Sequence, residues 1–211
     1  MEHKFFNMDK EKQDRLINAC LKEFSLNGYE LASTNNMVKE AGISKGLLFH
    51  YFPTKKELYL FLYDYAQEII TRDFYGLIDY SEKDLIKRLR QLVKNKLIIL
   101  NKYPLLFSFL EKAYYEDAKE VRNEINAKRL QVENDAYKLF SDIAMDKFRD
   151  NIDKEKAINI IIWTITGFSN RYINQNNIFS FSNINIEEAM KELEQYFNLF
   201  IQLFYKTEES R

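Results

Sequence analysis

The run Ala41-Gly-Ile-Ser-Lys-Gly-Leu-Leu-Phe-His-Tyr-Phe-Pro-Thr-Lys-Lys-Glu-Leu58 limits the fold of this chain more than any other stretch. Gly42 can take the positive φ that a sharp turn between helices needs. Ser44 is a good N-cap for the helix that follows. Pro53 disfavours a helical Phe52 and ends that helix within about two turns. Thr54, with Glu57 three residues on, forms a capping box that opens the next helix. Two helices joined through a short glycine-containing turn make a helix-turn-helix, whose second helix can enter a DNA major groove.

The stretches Leu16-Ile-Asn-Ala-Cys-Leu-Lys-Glu-Phe24 and Asn27-Gly-Tyr29 precede this run at the phase and length of one further helix. Together the first sixty or so residues resemble the TetR family of transcriptional regulators. The recognition segment of that family typically reads A-G-V-S-x-G-T-L-Y-x-Y-F-x-(S/T/N)-K-x-x-L. Ala41, Gly42, Ser44, Gly46, Leu48, Tyr51, Phe52, Thr54, Lys55 and Leu58 fall in register with it. Three departures stand out. Leu47 replaces a usual threonine and Phe49 a usual tyrosine, and Asn36 stands where the family places an acid after the second helix's cap.

A first helix is expected from about Asp9 to Leu26, with Ile17, Cys20, Leu21 and Phe24 on its buried face and Asn27-Gly28 as its stop. Cys20 on that face is expected to be an inert core thiol rather than a redox sensor. The second helix runs from Ser33 or Thr34 to Ala41, and the third from Lys45 to Phe52. On the third, Leu48 and Phe52 share one side while Gly46 and His50 point the opposite way, with Leu47 and Phe49 on the shoulders. Such an outward face suits a groove. Gly46 allows close backbone approach, Leu47 and Phe49 can pack on thymine methyls, and His50 can bond a base edge or phosphate. Lys45, Lys55 and the Tyr51 hydroxyl can reach phosphates, as can Thr34 and Asn35 at a helix start. With no arginine between residues 16 and 71, the commonest guanine reader is missing, so an A·T-rich half-site read through methyls and shape is expected.

The rest of the chain shows no alternation of period two, which predicts an all-α protein of about nine helices. A helix-turn-helix domain is expected over 1–54 and a larger helical domain over 55–211. The fourth helix spans about Lys55 to Tyr75. Ser81-x-x-Asp84 opens a fifth, to about Asn101, Pro104 starts a sixth, and Asp117-x-x-Glu120 opens a long seventh to about Phe148. Asp153 caps an eighth, to about Gln175, and Asn185-x-x-Glu188 opens a ninth, to about Tyr205. The polar connector Asn174–Asn185 carries Ile178, Phe179 and Phe181, which suit a docking loop.

The eighth and ninth helices are apolar around most of their circumference. A stripe of Ile161, Ile165 and Phe168 on one, and a heptad-like seam of Met190, Leu193, Phe197, Phe200 and Phe204 on the other, are expected at an interface between two copies. The resemblance implies the same, since TetR-like proteins dimerise through their last two long helices. A two-fold dimer would read an inverted repeat. The resemblance also implies an effector pocket among helices five to eight. Asn159, Trp163, Thr166 and Asn170 on one side of the eighth, with Phe107, Leu110 and Tyr114 on the sixth, are candidates for a largely apolar ligand.

Composition removes other classes. Only His3 and His50 are present, with a single Cys20, and no glycine loop, Gly-x-Ser-x-Gly elbow, His-Glu-x-x-His or Cys-x-x-Cys spacing occurs. No catalytic group, metal or cofactor is therefore expected. The opening residues lack a signal-peptide core and no apolar run approaches a membrane span, so a cytoplasmic protein is expected. Residues 1–56 hold nine Lys/Arg against seven Asp/Glu, while the remainder is net acidic, which leaves a small basic patch over 39–56. The expectation is a ligand-released repressor. A DNA-bound scaffold governed by a protein partner and an all-helical enzyme or cofactor carrier are the alternatives.

Overall fold

The computed structural model describes residues 4–175 and 186–206. Among them the chain forms nine α-helices: α1 Lys10–Leu31, α2 Thr34–Ala41, α3 Lys45–Tyr51, α4 Lys55–Tyr75, α5 Leu85–Lys102, α6 Pro104–Tyr114, α7 Arg122–Tyr137, α8 Lys154–Gln175 and α9 Ile186–Phe204. Short 3-10 turns lie at Lys4–Asn7 and Lys138–Phe140. The only sheet-like pairing among the described residues is one isolated antiparallel bridge between Phe148 and Tyr205. The all-α expectation holds. The aromatic connector with Ile178, Phe179 and Phe181, and the cap assigned to Asn185, lie outside the described residues.

The chain packs as two compact units, Met1–Asp73 with Tyr103–Asp135, and Phe74–Lys102 with Ala136–Arg211. By packing, the first three helices share a unit with most of α4, with α6 and with most of α7.

In the first unit, α1 lies along α6. Tyr59 of α4 sits between Phe24 (rings 4.9 Å apart), Tyr29 (5.2 Å) and Phe109 (5.2 Å), each pair edge-to-face. A second aromatic group gathers around Phe5, which is fully buried with its ring 5.4 Å from Phe52 and 5.5 Å from Phe61. Gln13 holds this N-terminal arm in place, its amide donating to the carbonyls of Phe6 (3.0 Å) and Met8 (2.6 Å).

In the second unit, Ile161, Ile165, Phe168, Leu193, Phe197 and Phe200 join Leu85, Ile86 and Leu89 of α5 in one core. Two local expectations fail here, the first to a competing local cap and the second to tertiary partners. The fifth helix begins at Asp84 rather than Ser81, because the Asp84 carboxylate accepts the Lys87 N–H (3.0 Å) while Ser81 turns to Asp79 (2.9 and 2.6 Å). The seventh helix ends at Tyr137, well short of Phe148. Beyond it, backbone groups find partners outside a helix: Arg88 takes the Leu139 carbonyl (2.8 Å), Ala144 N–H bonds Lys83 O (2.9 Å), and Arg149 N–H bonds Phe204 O (2.9 Å). Tertiary partners win over local helix propensity. Arg88 itself is fully buried, its guanidinium bonded also to Glu82 O (2.9 Å) and Tyr80 O (3.3 Å).

Burial alone would raise the Asp84 carboxyl. The Lys87 N–H, the Lys147 ammonium (2.9 Å) and the Tyr205 hydroxyl (3.3 Å) together outweigh that and hold it below its ordinary 3.8. A carboxyl depressed in the folded state stabilises the fold above its unfolded pKa, and that contribution is lost as pH falls through the folded value. Asp84→Asn keeps a competent cap but removes the charge. The variant should unfold at lower temperature than wild type at neutral pH, with the gap closing as pH drops below about 4; a pH-independent gap in thermal melts would refute the electrostatic account.

Candidate nucleic-acid interface

The recognition geometry is set by four caps. Ser33 is the N-cap of α2, its hydroxyl 3.4 Å from Asn36 N–H. Gly42 closes α2 in the left-handed region (φ 67°, ψ 37°), and Ile43 N–H returns to Val38 O at 3.0 Å. Ser44 caps α3 by accepting the Leu47 N–H at 3.1 Å. Thr54 accepts the Glu57 N–H at 3.1 Å and opens α4. These positions match the sequence expectations.

The missing acid at Asn36 is supplied from elsewhere. Glu23 of α1, only 8% exposed, accepts the Ser33 backbone N–H at 2.9 Å and the Asn27 amide at 2.9 Å, and its two oxygens stand 3.4 Å from the Asn36 amide. The carboxylate that caps the start of α2 therefore comes from a neighbouring helix, and Asn36 faces it as a donor. Arg15 of α1 also reaches the Ala41 carbonyl at the other end of α2, at 3.4 Å.

On α3, Leu48 is fully buried, and Phe52 just beyond is nearly so. Lys45, Gly46 and His50 are exposed, Leu47, Phe49 and Tyr51 are half-buried, and the Lys45 ammonium lies 5.9 Å over the Phe49 ring. Tyr51 packs edge-on to Phe5 (5.9 Å) and His50 (5.0 Å). Thr34 is half-buried and Asn35 exposed in the first turn of α2. Lys55 is differently placed from the expectation. Its ammonium bonds Glu30 O (3.0 Å) and Ala32 O (3.3 Å) and lies 4.8 Å over the Tyr29 ring, so it clamps the end of α1. Lys56 pairs with Glu124 at 2.5 Å. The exposed cations of the patch are Lys39 and Lys45. Cys20 is fully buried, and burial pushes its thiol well up, as an inert core thiol requires.

The structure places the residues singled out further along the chain as follows. Ile161, Ile165, Phe168, Leu193, Phe197 and Phe200 are buried in the second unit's own core, with Met190 and Phe204 packed against it. Trp163 (69% exposed), Thr166 and Asn170 stand on the surface of α8, with Asn159 half-buried. In the first unit, Leu110 packs against the core, Phe107 is half-buried, and the exposed Tyr114 carries the Arg129 guanidinium 4.8 Å over its ring. None of these seven lines the apolar crevice of the second unit, a cavity of about 40 Å³ bounded by Val93, Leu97, Phe168 and Leu193, with Lys96 and Tyr172 as polar members. Periodicity shows the stripes of α8 without showing which one the chain's own helices cover. No group of three His, Cys, Asp or Glu among the described residues is placed to hold a metal.

A short capped helix, presented after a glycine turn on a three-helix head, defines a helix-turn-helix protein. Residues 16–61 match the family model of the bacterial regulatory proteins, tetR family. The chain is 41% identical over 56 residues to the HTH-type transcriptional regulator YuxN of Bacillus subtilis (strain 168), covering 26% of this chain and 19% of that protein. It is 37% identical over 82 residues to the HTH-type transcriptional regulator PksA of the same organism, covering 38% of each. The chain therefore spans well under half the length of these relatives. In fold it is similar along its length to a TetR family transcriptional regulator from Chloroflexus aurantiacus J-10-FL, with a TM-score of 0.64, 24% identity and coverage of 96% of this chain and 97% of that one. A TetR-like regulator from Rhodococcus sp. RHA1 gives a TM-score of 0.65 at 15% identity, covering 88% and 93%.

Glu23 sits among donors only, so replacing it with an amide turns one acceptor into a donor facing donors. Glu23→Gln should cost about 1–3 kcal/mol in urea unfolding, and Asn36→Ala clearly less. Equal, small losses in both variants would mean that the carboxylate does not cap α2.

Proposed function

We propose that this chain is a homodimeric, sequence-specific DNA-binding transcriptional regulator, a repressor that leaves an A·T-rich inverted repeat when a largely apolar small molecule binds. Regulators of the TetR family are non-enzymatic DNA-binding transcription factors, and the proposal places this chain among them in the cytoplasm. No helix among the described residues is long and apolar enough to cross a membrane.

The observation that carries the reading is the outer face of α3. It sets Lys45, Gly46 and His50 in solvent with Leu47 and Phe49 at the shoulders, on a helix fixed from behind by buried Leu48. A solvent-facing helix gains nothing from two large apolar shoulders, whereas thymine methyls do suit them. Backbone positioning falls to Lys39, Lys45, Thr34 and Asn35, since Lys55 and Lys56 are bonded within the unit. Selection of binding sites from random duplex DNA should enrich an A·T-rich inverted repeat, and Lys45→Ala and His50→Ala should each lower affinity for it by about 5- to 100-fold. No enriched site, or unaltered affinity in both variants, would overturn this assignment.

For the dimer, the surface left apolar matters. Ile160 and Trp163 of α8, with Leu199, Ile201 and Leu203 of α9, are 36–69% exposed, and a Cβ at the exposed Gly167 would meet nothing within 4 Å. Side chains of this kind on two long helices fit a helix-on-helix interface between copies. In light scattering the wild type should weigh about twice 25.4 kDa. Trp163→Glu with Leu199→Glu should give a folded monomer, while a dimer that survives both changes would place the interface elsewhere. An apolar effector would have to spread the crevice between α5, α8 and α9, which at about 40 Å³ holds only a few atoms. Such a ligand acts by its differential affinity for the two conformations.

A further inference from the structure

We infer that Glu116 is a positioning residue for the DNA-reading head, the carboxylate through which the turn between α6 and α7 holds the corner from which α2 and α3 are aimed. The inference rests on the DNA-binding reading above and names how that head is held.

The argument starts at Gly28, whose backbone (φ 67°, ψ −172°) interrupts α1. A helix broken there leaves the next N–H without its helical acceptor. Glu116 supplies one: its Oε2 accepts the Tyr29 N–H at 2.7 Å, while its Oε1 accepts the Ala118 N–H at 3.0 Å. A single carboxylate thus bridges the broken end of α1 and the turn that leads into α7. The Tyr29 phenol then donates to the carboxylate of Glu120, four residues beyond Glu116 on the same turn. Burial and that carboxylate push the phenol's pKa up, so it stays a donor. A side chain at Gly28 would bring a Cβ within 3.2 Å of Glu116 Oε2 and 3.3 Å of the Lys112 stem, so the approach depends on glycine.

Tyr29 passes this hold on in two directions. Its ring carries the Lys55 ammonium, which binds the carbonyls of Glu30 and Ala32 and opens α4 immediately behind α3. Along the backbone, Tyr29 lies four residues before Ser33, the cap of α2. Both flanks of the helix-turn-helix are therefore tied to the 116–120 turn through one tyrosine. Only a carboxylate can accept at both oxygens; an amide would present a donor to one of the two N–H groups.

The test uses the full chain with Glu116→Gln, Tyr29→Phe, and Asp117→Asn as a control on the same turn. In Glu116→Gln, amide hydrogen exchange over residues 29–52 should quicken by about tenfold, and the dissociation constant for the selected DNA should rise by a similar factor. Exchange in α5 and the control variant should match wild type. Tyr29→Phe should reproduce part of the effect and add little on top of Glu116→Gln. Unchanged exchange over 29–52 in a folded Glu116→Gln, or an equal rise in α5, would overturn the inference, the second because it signals general loosening. If the wild type selects no DNA, the DNA-binding reading falls while the exchange data still decide the role of Glu116.

Discussion

A helix of seven residues cannot hold itself. Isolated helices shorter than about 12–15 residues are marginal in water, and α3 spans only Lys45–Tyr51. Its position therefore depends on what it is fastened to. Leu48 is sunk in the core of the first unit, and Phe52 sits 4.8 Å from Phe61 and 5.4 Å from Phe5. The 3-10 arm at Lys4–Asn7, itself held by Gln13, closes over that junction. Because the apolar groups that fasten the helix all lie on one side, the opposite side is free to carry glycine, an imidazole and a lysine without cost to stability.

What could be read in the head from sequence was whatever is local. Ser33, Ser44, Gly42 and the Thr54–Glu57 pair act within three or four residues of themselves, so their geometry follows from the helix alone. What could not be read acts across the chain. Glu23 lies 10 residues from the N–H it caps and Lys55 lies 25 from Glu30 O; their partners are fixed only once α1 has been laid against α2 and α4. Two signals pointed that way in retrospect. An acid absent from Asn36 left a helix start short of an acceptor, and Glu23 borders Phe24 on a helix face that is otherwise core.

In the second unit the stripes were legible but their partners were not. A helix apolar on most of its circumference offers two candidate faces, and period 3.6 treats them alike. The choice was made by elements that the periodicity of α8 and α9 does not contain: Leu85, Ile86 and Leu89 of α5, together with Phe148 and Tyr205, fill the seam of Phe197 and Ile161 from inside the chain. That leaves Trp163 and Leu199 outside. An indole 69% exposed on α8 and exposed leucines on α9 leave apolar surface in water unless something covers it.

One further regularity holds within each unit. The chain has only 5 glycines and 2 prolines, so its helices seldom stop on residues that make stopping easy. Where they do stop, backbone groups are left over, and charged side chains from distant segments take them. Glu116 accepts the Tyr29 N–H, Glu23 accepts that of Ser33, and Lys55 donates to Glu30 and Ala32. Arg88 donates to the carbonyls of Glu82 and Leu139, and Arg149 to those of Tyr205 (3.0 Å) and Gln202 (2.7 Å) at the end of α9. Bonds of this kind are stronger than neutral ones and directional, and most of them link a helix end to another element of the chain. Turns built on glycine and proline would leave the helix ends independent of one another. Here the breaks are joints, and a shift in one element reaches the end of another through a single charged side chain.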